Sequence, residues 1–405
     1  MLRKNASDYV GRGSLVICEL PPFLLPVNSV ERIWVLHTHS LSGMRSIMNA
    51  ALVSTASALS IVSTPAASLP PPPPRGPRGQ PFLSVYQDVM QRGDDMLPDR
   101  VVHVADLKMT PDGHIELPGH TRYRLNDTAR RHLSSALGLR WETWFKSASG
   151  EERAEEVNRR FSRIPGEKKI RAWRDSTGEA HGIARAFLAP TFTPIDDARL
   201  FQRMFTMMRG LIDEYVFTSV QWTETTTHYT AVHAKAFDID GDLLHPGFHL
   251  RNSEVGASAL SLDDHWLRLV CLNGLMVRVG GKRSLYRTHR AIEDDQLAAA
   301  LVIAIGRLPE RWQVAFTWMQ SAKRIEVPHP DDAIEAILGD SSAVPRALLE
   351  EAKRFVLRDG DSSRYGVVQA ITLVAHQTNK DPDVRFAMER LAGDYLAATP
   401  VNARA

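Results

Sequence analysis

A run of strand and turn signals in the middle of the chain constrains the fold most. The segment YVFTSVQWTETTTHYTAVHAK, from Tyr215 to Lys235, is rich in β-branched and aromatic residues and predicts two strands joined around residues 224–227. Asp240-Gly241 and Asn273-Gly274 are two-residue hairpin signals of the type that needs positive φ at both turn positions. The middle of the chain is therefore predicted to form an antiparallel sheet.

Helical patterns lie on both sides of these strands along the sequence. HGIARAFLAPTFTPI (residues 181–195) predicts a strand, and Thr193 with Pro194 supplies an N-cap and a first-turn proline for a helix through Leu211. Apolar residues spaced three and four apart indicate that one face of this helix is buried. Further helices are predicted over residues 294–308, 331–338, 345–357, 365–376 and 383–397. The predicted fold class is α+β, a central antiparallel sheet flanked by helices with a helical C-terminal region.

The first 80 residues are predicted to be a disordered extension that ends in a proline-rich linker. Pro70 to Pro74 favour an extended polyproline conformation, and glycines follow them. A start at Met44 would turn the small-residue run behind it into a weak secretion signal, but we interpret that run as a disordered tail. An α+β core domain is expected over residues 81–300 and a helical region over residues 301–405.

Composition excludes several classes of protein. The 49 basic and 47 acidic residues leave a net charge of +2, so attraction to a polyanion must come from local clusters. Cys18 and Cys271 are the two cysteines, which rules out a disulfide framework and fits a reducing cytoplasm. No apolar run reaches the roughly 18 residues of a spanning helix, so we expect no membrane partner. Homo-oligomerisation stays open.

Two stretches concentrate positive charge. Residues 122–174 hold fourteen Arg or Lys against seven Asp or Glu in a mostly helical pattern. We interpret that stretch as a charged, solvated helix pair whose aromatic residues lie in the core. Residues 268–290 hold six basic side chains and no acidic one. This second stretch, called the basic strip below, suggests a surface that faces a polyanion.

The basic strip is the main candidate site. Its cations would contact phosphates, and its tyrosine would stack on an exposed base. In the alternative interpretation the strip is a solvated segment at the start of a helix, and its cations form ion pairs with Glu293, Asp294 and Asp295. The candidate nucleic-acid-binding residues are Arg268, Arg278, Lys282, Arg283, Tyr286, Arg287, His289 and Arg290.

Three short polar residues lie at predicted strand ends. Asn252, Ser253 and Asn273 have side chains of the type that satisfies backbone groups in turns, and this structural role is the favoured interpretation. In the functional alternative, they form a polar lip beside the basic strip.

Histidines and aspartates crowd the segment from His228 to His265. Two histidines and a carboxylate could bind a divalent metal, which makes a metal-dependent enzyme an alternative hypothesis. The calcium-loop pattern that begins at Asp238 fails, because His249 stands where the bidentate glutamate is required. His228 and His233, five residues apart on one strand, are predicted to lie on opposite faces. No nucleophile motif or phosphate loop occurs, so we predict neither a catalytic residue nor a cofactor.

Three segments carry a further pattern. The first segment is GIARAFLAPTFTPIDDARLF, and the second is FHLRNSEVGASALSLDDHWLRLVCLNGLMV. The third is YGVVQAITLVAHQTNKDPDVRFAMERLAGDYL. The matching positions are Arg185, Phe192, Ile195 and Asp197 in the first, Asn252, Ser253, Gly256, Val270, Cys271 and Asn273 in the second, and Ala370, Ile371, Thr372, Leu391, Ala392 and Gly393 in the third.

In this order the segments resemble the phage- and plasmid-related family called domain of unknown function 932, over about residues 81–396. The chain departs from the pattern at Gly274, where the family usually has threonine, and the basic insert over residues 169–174 is not part of the resemblance. The family's activity is unsettled, and its residence on phages and plasmids implies DNA metabolism or host interaction.

The residues and the resemblance together predict a non-enzymatic, cytoplasmic nucleic-acid-binding protein that binds or anneals single strands. Antiparallel sheets flanked by helices beside a positive groove are also the plan of phage single-strand annealing proteins, which is an analogy of fold alone. The alternatives are the metal-dependent enzyme and a module that binds a host factor through the helical C-terminal region.

Overall fold

The structure, a computed structural model, describes residues 77–269, 273–290, 293–377 and 381–398. Predictions made for residues 1–76, for Val270 and for Cys271 lie outside the described residues. The α+β fold class and the helical C-terminal region are confirmed. The strands form two sheets where the sequence predicted one central sheet.

The strands are β1 Gln80–Pro81, β2 Met96–His103, β3 Lys108–Met109, β4 Ile115–Leu117, β5 Thr121–Leu125, β6 Glu167–Arg174, β7 Gly182–Leu188, β8 Tyr215–Trp222, β9 Thr227–His233, β10 Phe237–Ile239, β11 Asp242–Asn252, β12 Leu260–Arg268, β13 Gly274–Val277 and β14 Leu285–Arg287. The helices are α1 Phe82–Asp94, α2 Asp127–Ala136, α3 Gly150–Phe161, α4 Asp197–Ile212, α5 Asp294–Gly306, α6 Leu308–Ala322, α7 Pro330–Leu338, α8 Arg346–Asp359, α9 Arg364–Gln377 and α10 Pro382–Ala397.

The smaller sheet has the order β2-β6-β7-β5-β4-β3 and packs its own core against α2 and α3. The predicted mostly helical pattern over residues 122–174 is therefore wrong at both ends, where β5 and β6 lie. In β6 the side chains alternate, so that Ile170 and Ala172 enter this core while Arg171 faces away from it. Phe145 is buried in the same core, as predicted for the aromatic residues of this stretch.

The larger sheet has the order β1-β8-β9-β11-β12-β13, with β10 paired to β11 and β14 paired to β12. The strand pair predicted between Tyr215 and Lys235 is confirmed as β8 and β9. The Asp240-Gly241 hairpin is also confirmed, with φ values of 53° and 88°. The predicted turn at Asn273-Gly274 is wrong, because neither residue has positive φ and Gly274 already pairs with Leu267.

The helical predictions are correct except at two proline-containing boundaries. The helix predicted from Pro194 begins at Asp197, so Thr193 is not its N-cap. The helix predicted over residues 294–308 ends at Gly306, and the sequence prediction missed the next helix, α6, which carries Pro309 in its first turn. Helices α5 to α10 share one apolar core with the larger sheet. No helix in the described part of the chain is long and apolar enough to cross a membrane.

A buried network of charged groups connects the two sheets. Arg185 of β7 donates a 2.7 Å hydrogen bond to Glu254, which follows β11, and both side chains are at least 95% buried. Arg171 of β6 donates to the backbone carbonyl of Glu254 at 2.7 Å and to Asp196 at 2.6 Å. The backbone N–H of Asp197, at the start of α4, donates to the second carboxyl oxygen of Glu254 at 3.1 Å. One glutamate thus fixes the smaller sheet, the larger sheet and α4 together.

Asp197 extends this network into the larger sheet. Its two carboxyl oxygens accept hydrogen bonds from Asn252 at 2.7 Å and from the Tyr229 hydroxyl at 3.1 Å. Burial and the nearby charge of Glu254 raise the pKa of Asp197 to about 7. The start of α4 is therefore held against β9 and β11, which explains why the helix begins at this residue and not at Thr193.

Replacing Arg185 with Met tests the network. The variant leaves the carboxylate of Glu254 buried without its cation, and breaking a buried pair in this way costs about 3 to 5 kcal/mol of unfolding free energy. Urea denaturation followed by circular dichroism measures the loss. Arg346→Met is the matched control, because its ion pairs with Glu335 and Glu350 are exposed and should contribute little. Equal losses in the two variants would contradict the assigned role of Arg185.

Candidate functional site

Three cations of the basic strip are engaged by carboxylates. Arg268 lies 2.7 Å from Asp242, and Arg278 lies 3.1 Å from Asp263. Asp263, which is fully buried, is also 3.7 Å from Arg283. These carboxylates come from the neighbouring strands β11 and β12, and not from the acidic residues that follow the strip. Asp295, for example, pairs with Arg203 of α4.

The rest of the strip is mostly exposed. Lys282, Arg287 and Arg290 are exposed and form no ion pair within the described ranges. Tyr286 is 50% exposed, and the guanidinium carbon of Arg283 lies 4.9 Å from its ring centre. The predicted nucleic-acid surface thus contains three exposed cations beside one exposed aromatic ring.

His289 of the strip has a different environment. Its ring stacks on Phe192 at 5.3 Å between centroids, and its nitrogens contact the backbone N–H of Ile195 and the carbonyl of Ser258. Its imidazole therefore stabilises the loop before α4.

The predicted polar lip is wrong, because all three of its residues are buried. Asn252 donates to the Ile195 carbonyl and to Asp197, both at 2.7 Å. Ser253 donates to the carbonyl of Thr225 at 2.6 Å. Asn273 donates to Gln369 and Thr372 of α9, each at 2.8 Å. These side chains satisfy buried polar groups, as in the structural interpretation, and cannot meet a ligand at the surface.

The residues of the His/Asp segment separate into different environments. His228, His249 and His265 gather on one face of the larger sheet, while His233 faces the opposite way, 3.0 Å from Glu214. Asp264 pairs with Arg311 at 2.6 Å. Across the described ranges, no group of three His, Cys, Asp or Glu residues is arranged to hold a metal ion.

His249 and His265 line a cavity of about 430 Å³, called the histidine cavity below, and His228 contacts His249. Strand alternation sends Thr230, His249 and His265 to this face, while Tyr229, Phe248 and Trp266 enter the main core on the other. Gly274 keeps the space beside His265 open, since a β-carbon there would lie 2.3 Å from His265 Nε2. The lining residues are Arg78, Thr218, Ser219, Thr230, His249, His265, Leu267, Leu269, Gly274, His376, Arg385, Phe386 and Glu389.

A chain of polar contacts leads from the cavity to the start of α10. The Thr230 hydroxyl lies 2.9 Å from His249 Nδ1, and His249 Nε2 lies 3.1 Å from His228 Nδ1. His228 Nε2 lies 3.3 Å from Asp383 Oδ1. Arg251 donates its Nε–H to the same carboxylate at 3.1 Å. We call Asp383, His228, His249 and Thr230 the relay.

Burial keeps the histidines of this face neutral. It lowers the pKa of His265 to about 3, the pKa of His249 well below its usual value, and the pKa of His228 despite an opposing hydrogen bond to Asp383. Burial acts to raise the pKa of Asp383, but the hydrogen bond with His228 and the charge of Arg251 outweigh it, so that the pKa lies well below its usual range.

The pKa of Glu389 is shifted upward, whereas the pKa values of the neighbouring histidines are lowered. Burial raises the pKa of its carboxyl to about 7, although the charge of Arg385 works against this. No described group hydrogen-bonds to the carboxyl, and His265 Nε2 lies 3.9 Å away. The Nδ1 atom of His265 also has no hydrogen-bond partner. The cavity wall therefore contains a carboxyl to which no described group hydrogen-bonds, beside a neutral imidazole whose Nδ1 has no partner.

Arg385 adds a positive charge to the cavity wall. Its guanidinium donates to the side-chain amide of Gln221, and none of the described carboxylates lies within ion-pair distance. A buried or half-buried arginine usually has an anionic partner. Its environment therefore favours an anion in the cavity.

The sequence prediction missed Thr230, Arg385 and Glu389. A signal for Glu389 exists, because it occupies a position of α10 on the same face as Phe386, Ala392 and Leu396, which are buried. An acidic residue on an apolar helical face marks a buried ionisable group, which is a common feature of functional sites.

Comparisons of this chain with protein-family models, with curated proteins and with solved structures find no match. The resemblance to the domain of unknown function 932 family stays a prediction.

Glu389→Gln tests the buried carboxyl. The raised pKa means that folding favours the protonated acid, so the wild type loses stability relative to the variant as pH rises from about 4.5 through about 7. Between pH 5 and pH 8 the unfolding free energy of the variant should gain roughly 2 to 3 kcal/mol on that of the wild type. Denaturant titrations at several pH values measure this difference.

The matched control for that series is Glu155→Gln on the exposed face of α3, where no pH trend is expected. A difference between Glu389→Gln and the wild type that stays constant over the whole range would show that Glu389 ionises normally.

Proposed function

We propose that this protein binds a small organic anion in the histidine cavity. The observation that carries the proposal is the guanidinium of Arg385, which lines the cavity without a described carboxylate partner. Arg78, exposed at the same cavity, adds a second cation. Guanidinium groups bind carboxylates and phosphates through paired hydrogen bonds, and such bonds are stronger than those between neutral groups.

The other walls of the cavity define the rest of the ligand. Leu267, Leu269 and Phe386 provide apolar contacts, so a ligand with an apolar body gains from leaving water. A volume of about 430 Å³ is in the usual range for pockets that bind small molecules. The ligand class is therefore a small anion with an apolar or aromatic part.

The cavity can also transfer protons. A carboxyl whose pKa is about 7 donates or accepts a proton at neutral pH, while burial holds the imidazoles of His249 and His265 in the neutral form. Environments that separate the pKa values of neighbouring groups in this way are typical of acid–base sites. Binding of the anion next to Glu389 would place a ligand within reach of these groups.

Isothermal titration with phenyl phosphate tests the proposal, with benzyl alcohol as a neutral ligand of similar shape. We expect phenyl phosphate to bind and Arg385→Gln to weaken it about 10- to 100-fold, because a charge-assisted hydrogen bond contributes about 1.5 to 3 kcal/mol. Arg324→Gln, which removes an exposed cation of the loop after α6, is the matched control and should bind normally. Equal affinity for the two ligands, or an unchanged Arg385→Gln variant, would refute anion binding in this cavity.

A second candidate function is single-stranded nucleic-acid binding by the basic strip. The observation that favours it is the set of three exposed cations, Lys282, Arg287 and Arg290, in the same short segment as the exposed ring of Tyr286. Exposed cations next to an aromatic ring suit phosphates and a stacked base. The ion pairs of Arg268, Arg278 and Arg283 reduce the strip's positive charge, so we expect weak binding that does not depend on base sequence.

A labelled oligo-dT strand tests this second candidate. Three phosphate contacts on a single strand predict roughly a 20-fold loss of affinity between 50 and 200 mM salt, from a slope of about 0.7 per contact. Fluorescence anisotropy should show this loss for the wild type and little binding for the triple variant Lys282→Ala, Arg287→Ala, Arg290→Ala.

The matched control replaces three exposed arginines outside the strip, Arg163, Arg307 and Arg324, with alanine, and it removes the same charge. Equal weakening by the two triple variants would mean that net charge, and not the strip, attracts the strand.

A further inference from the structure

The relay has a geometry that the binding of an anion does not require. Its three contacts, of 2.9, 3.1 and 3.3 Å, run in series from the cavity-lining hydroxyl of Thr230 to the carboxylate of Asp383. Each imidazole uses both ring nitrogens in the series. His228 and His249 are buried, so water does not compete for the contact between them.

The direction of the hydrogen bonds follows from the carboxylate at the far end. Asp383 is ionised and can only accept, so His228 Nε2 carries a proton and its Nδ1 is an acceptor. His249 Nε2 must then donate, which leaves His249 Nδ1 as the acceptor for the Thr230 hydroxyl. Thr226 is compatible with this direction, since its hydroxyl donates to the other oxygen of Asp383. One pair of tautomers therefore satisfies every contact.

We propose that Thr230 is a nucleophile for acyl transfer, activated by His249, which His228 and Asp383 orient. A hydroxyl that donates its hydrogen bond to a neutral imidazole, with that imidazole oriented by further groups, is the arrangement of activated serine and threonine nucleophiles. The inference rests on the proposed function in that the acyl compound occupies the same cavity. The substrate class is then an ester of a small organic acid, with an anionic group near Arg385.

The chemical step balances without any further reagent. A bond forms between Thr230 Oγ1 and the carbonyl carbon of the ester, and the bond from that carbon to the leaving oxygen breaks. The proton of Thr230 passes to His249 Nδ1 as His249 passes its Nε2 proton to His228, and the relay returns one proton to the leaving oxygen. Water then attacks the acyl-threonine, its proton takes the same route back to Thr230 Oγ1, and the carboxylic acid leaves.

The ester 4-nitrophenyl acetate is a direct probe, because it is neutral and does not need Arg385. We expect mass spectrometry to find an acetyl group on Thr230 of the wild-type chain, together with a burst of nitrophenolate release followed by its absorbance. Thr230→Val and His249→Gln should slow the burst about 100-fold or more, which is the usual effect of removing a nucleophile's base. Thr230→Ser should restore it.

His233→Gln is the matched control for His249→Gln, since His233 lies on β9, the strand of Thr230, and faces away from the cavity. It should keep the wild-type burst. The peptide that carries the acetyl group is read in the wild type itself, so a variant that fails to fold does not affect this result. Acetyl groups found on lysine alone, or a Thr230→Val variant as fast as the wild type, would overturn the proposal.

The two proposals for the cavity fail separately. Phenyl phosphate binding without acetylation of Thr230 would overturn the nucleophile and leave anion binding in place. Acetylation of Thr230 without phenyl phosphate binding would overturn anion binding and leave the nucleophile in place.

Discussion

The buried pair of Arg185 and Glu254 is the interaction on which the rest of the structure depends. Burial lowers the pKa of Arg185, and the charge of Glu254 opposes this effect, so the two charges are stable in the interior only together. The same glutamate accepts from the backbone of Asp197 and, through its own carbonyl, from Arg171. These polar contacts join two sheets that have separate apolar cores. Because hydrogen bonds are directional and apolar contacts are not, the polar contacts fix the orientation of one sheet against the other.

The histidine cavity follows from that junction. Strand β11 ends at Asn252 in the network, and three residues earlier it carries His249 into the cavity. Holding one end of the strand therefore sets the register that brings His249 opposite Thr230 and close to His228. Helix α10 closes the other side, where Gly393 packs so near Met276 that a β-carbon would collide with its carbonyl. The cavity lies between the larger sheet, which is held at Asn252, and α10, which is held at Gly393.

The sequence predicted the parts of the fold that local chemistry determines. Asp240-Gly241 formed its hairpin because both residues accept positive φ, and the β-branched run from Tyr215 formed strands. The smaller sheet was harder to predict, because β5 and β7 pair in parallel across residues 126–181, a connection much longer than the crossover of about a dozen residues that a parallel pair needs. One interpretation of the sequence paired the cations of the basic strip with the carboxylates that follow it along the chain. In the structure Arg278 instead pairs with Asp263 of the neighbouring strand β12. Arg385 and Glu389 meet His265 only after α10 docks, and no spacing encodes that contact.

We propose that an anion occupies the histidine cavity with its charge on Arg385. A crystal of the protein soaked in 4-bromobenzoate locates the ligand directly, because bromine gives an anomalous signal. We expect a bromine peak among Leu267, Leu269 and Phe386, with the carboxylate on the guanidinium of Arg385. A crystal in which the cavity is filled by its own side chains, or in which bromine lies only outside it, would contradict the account.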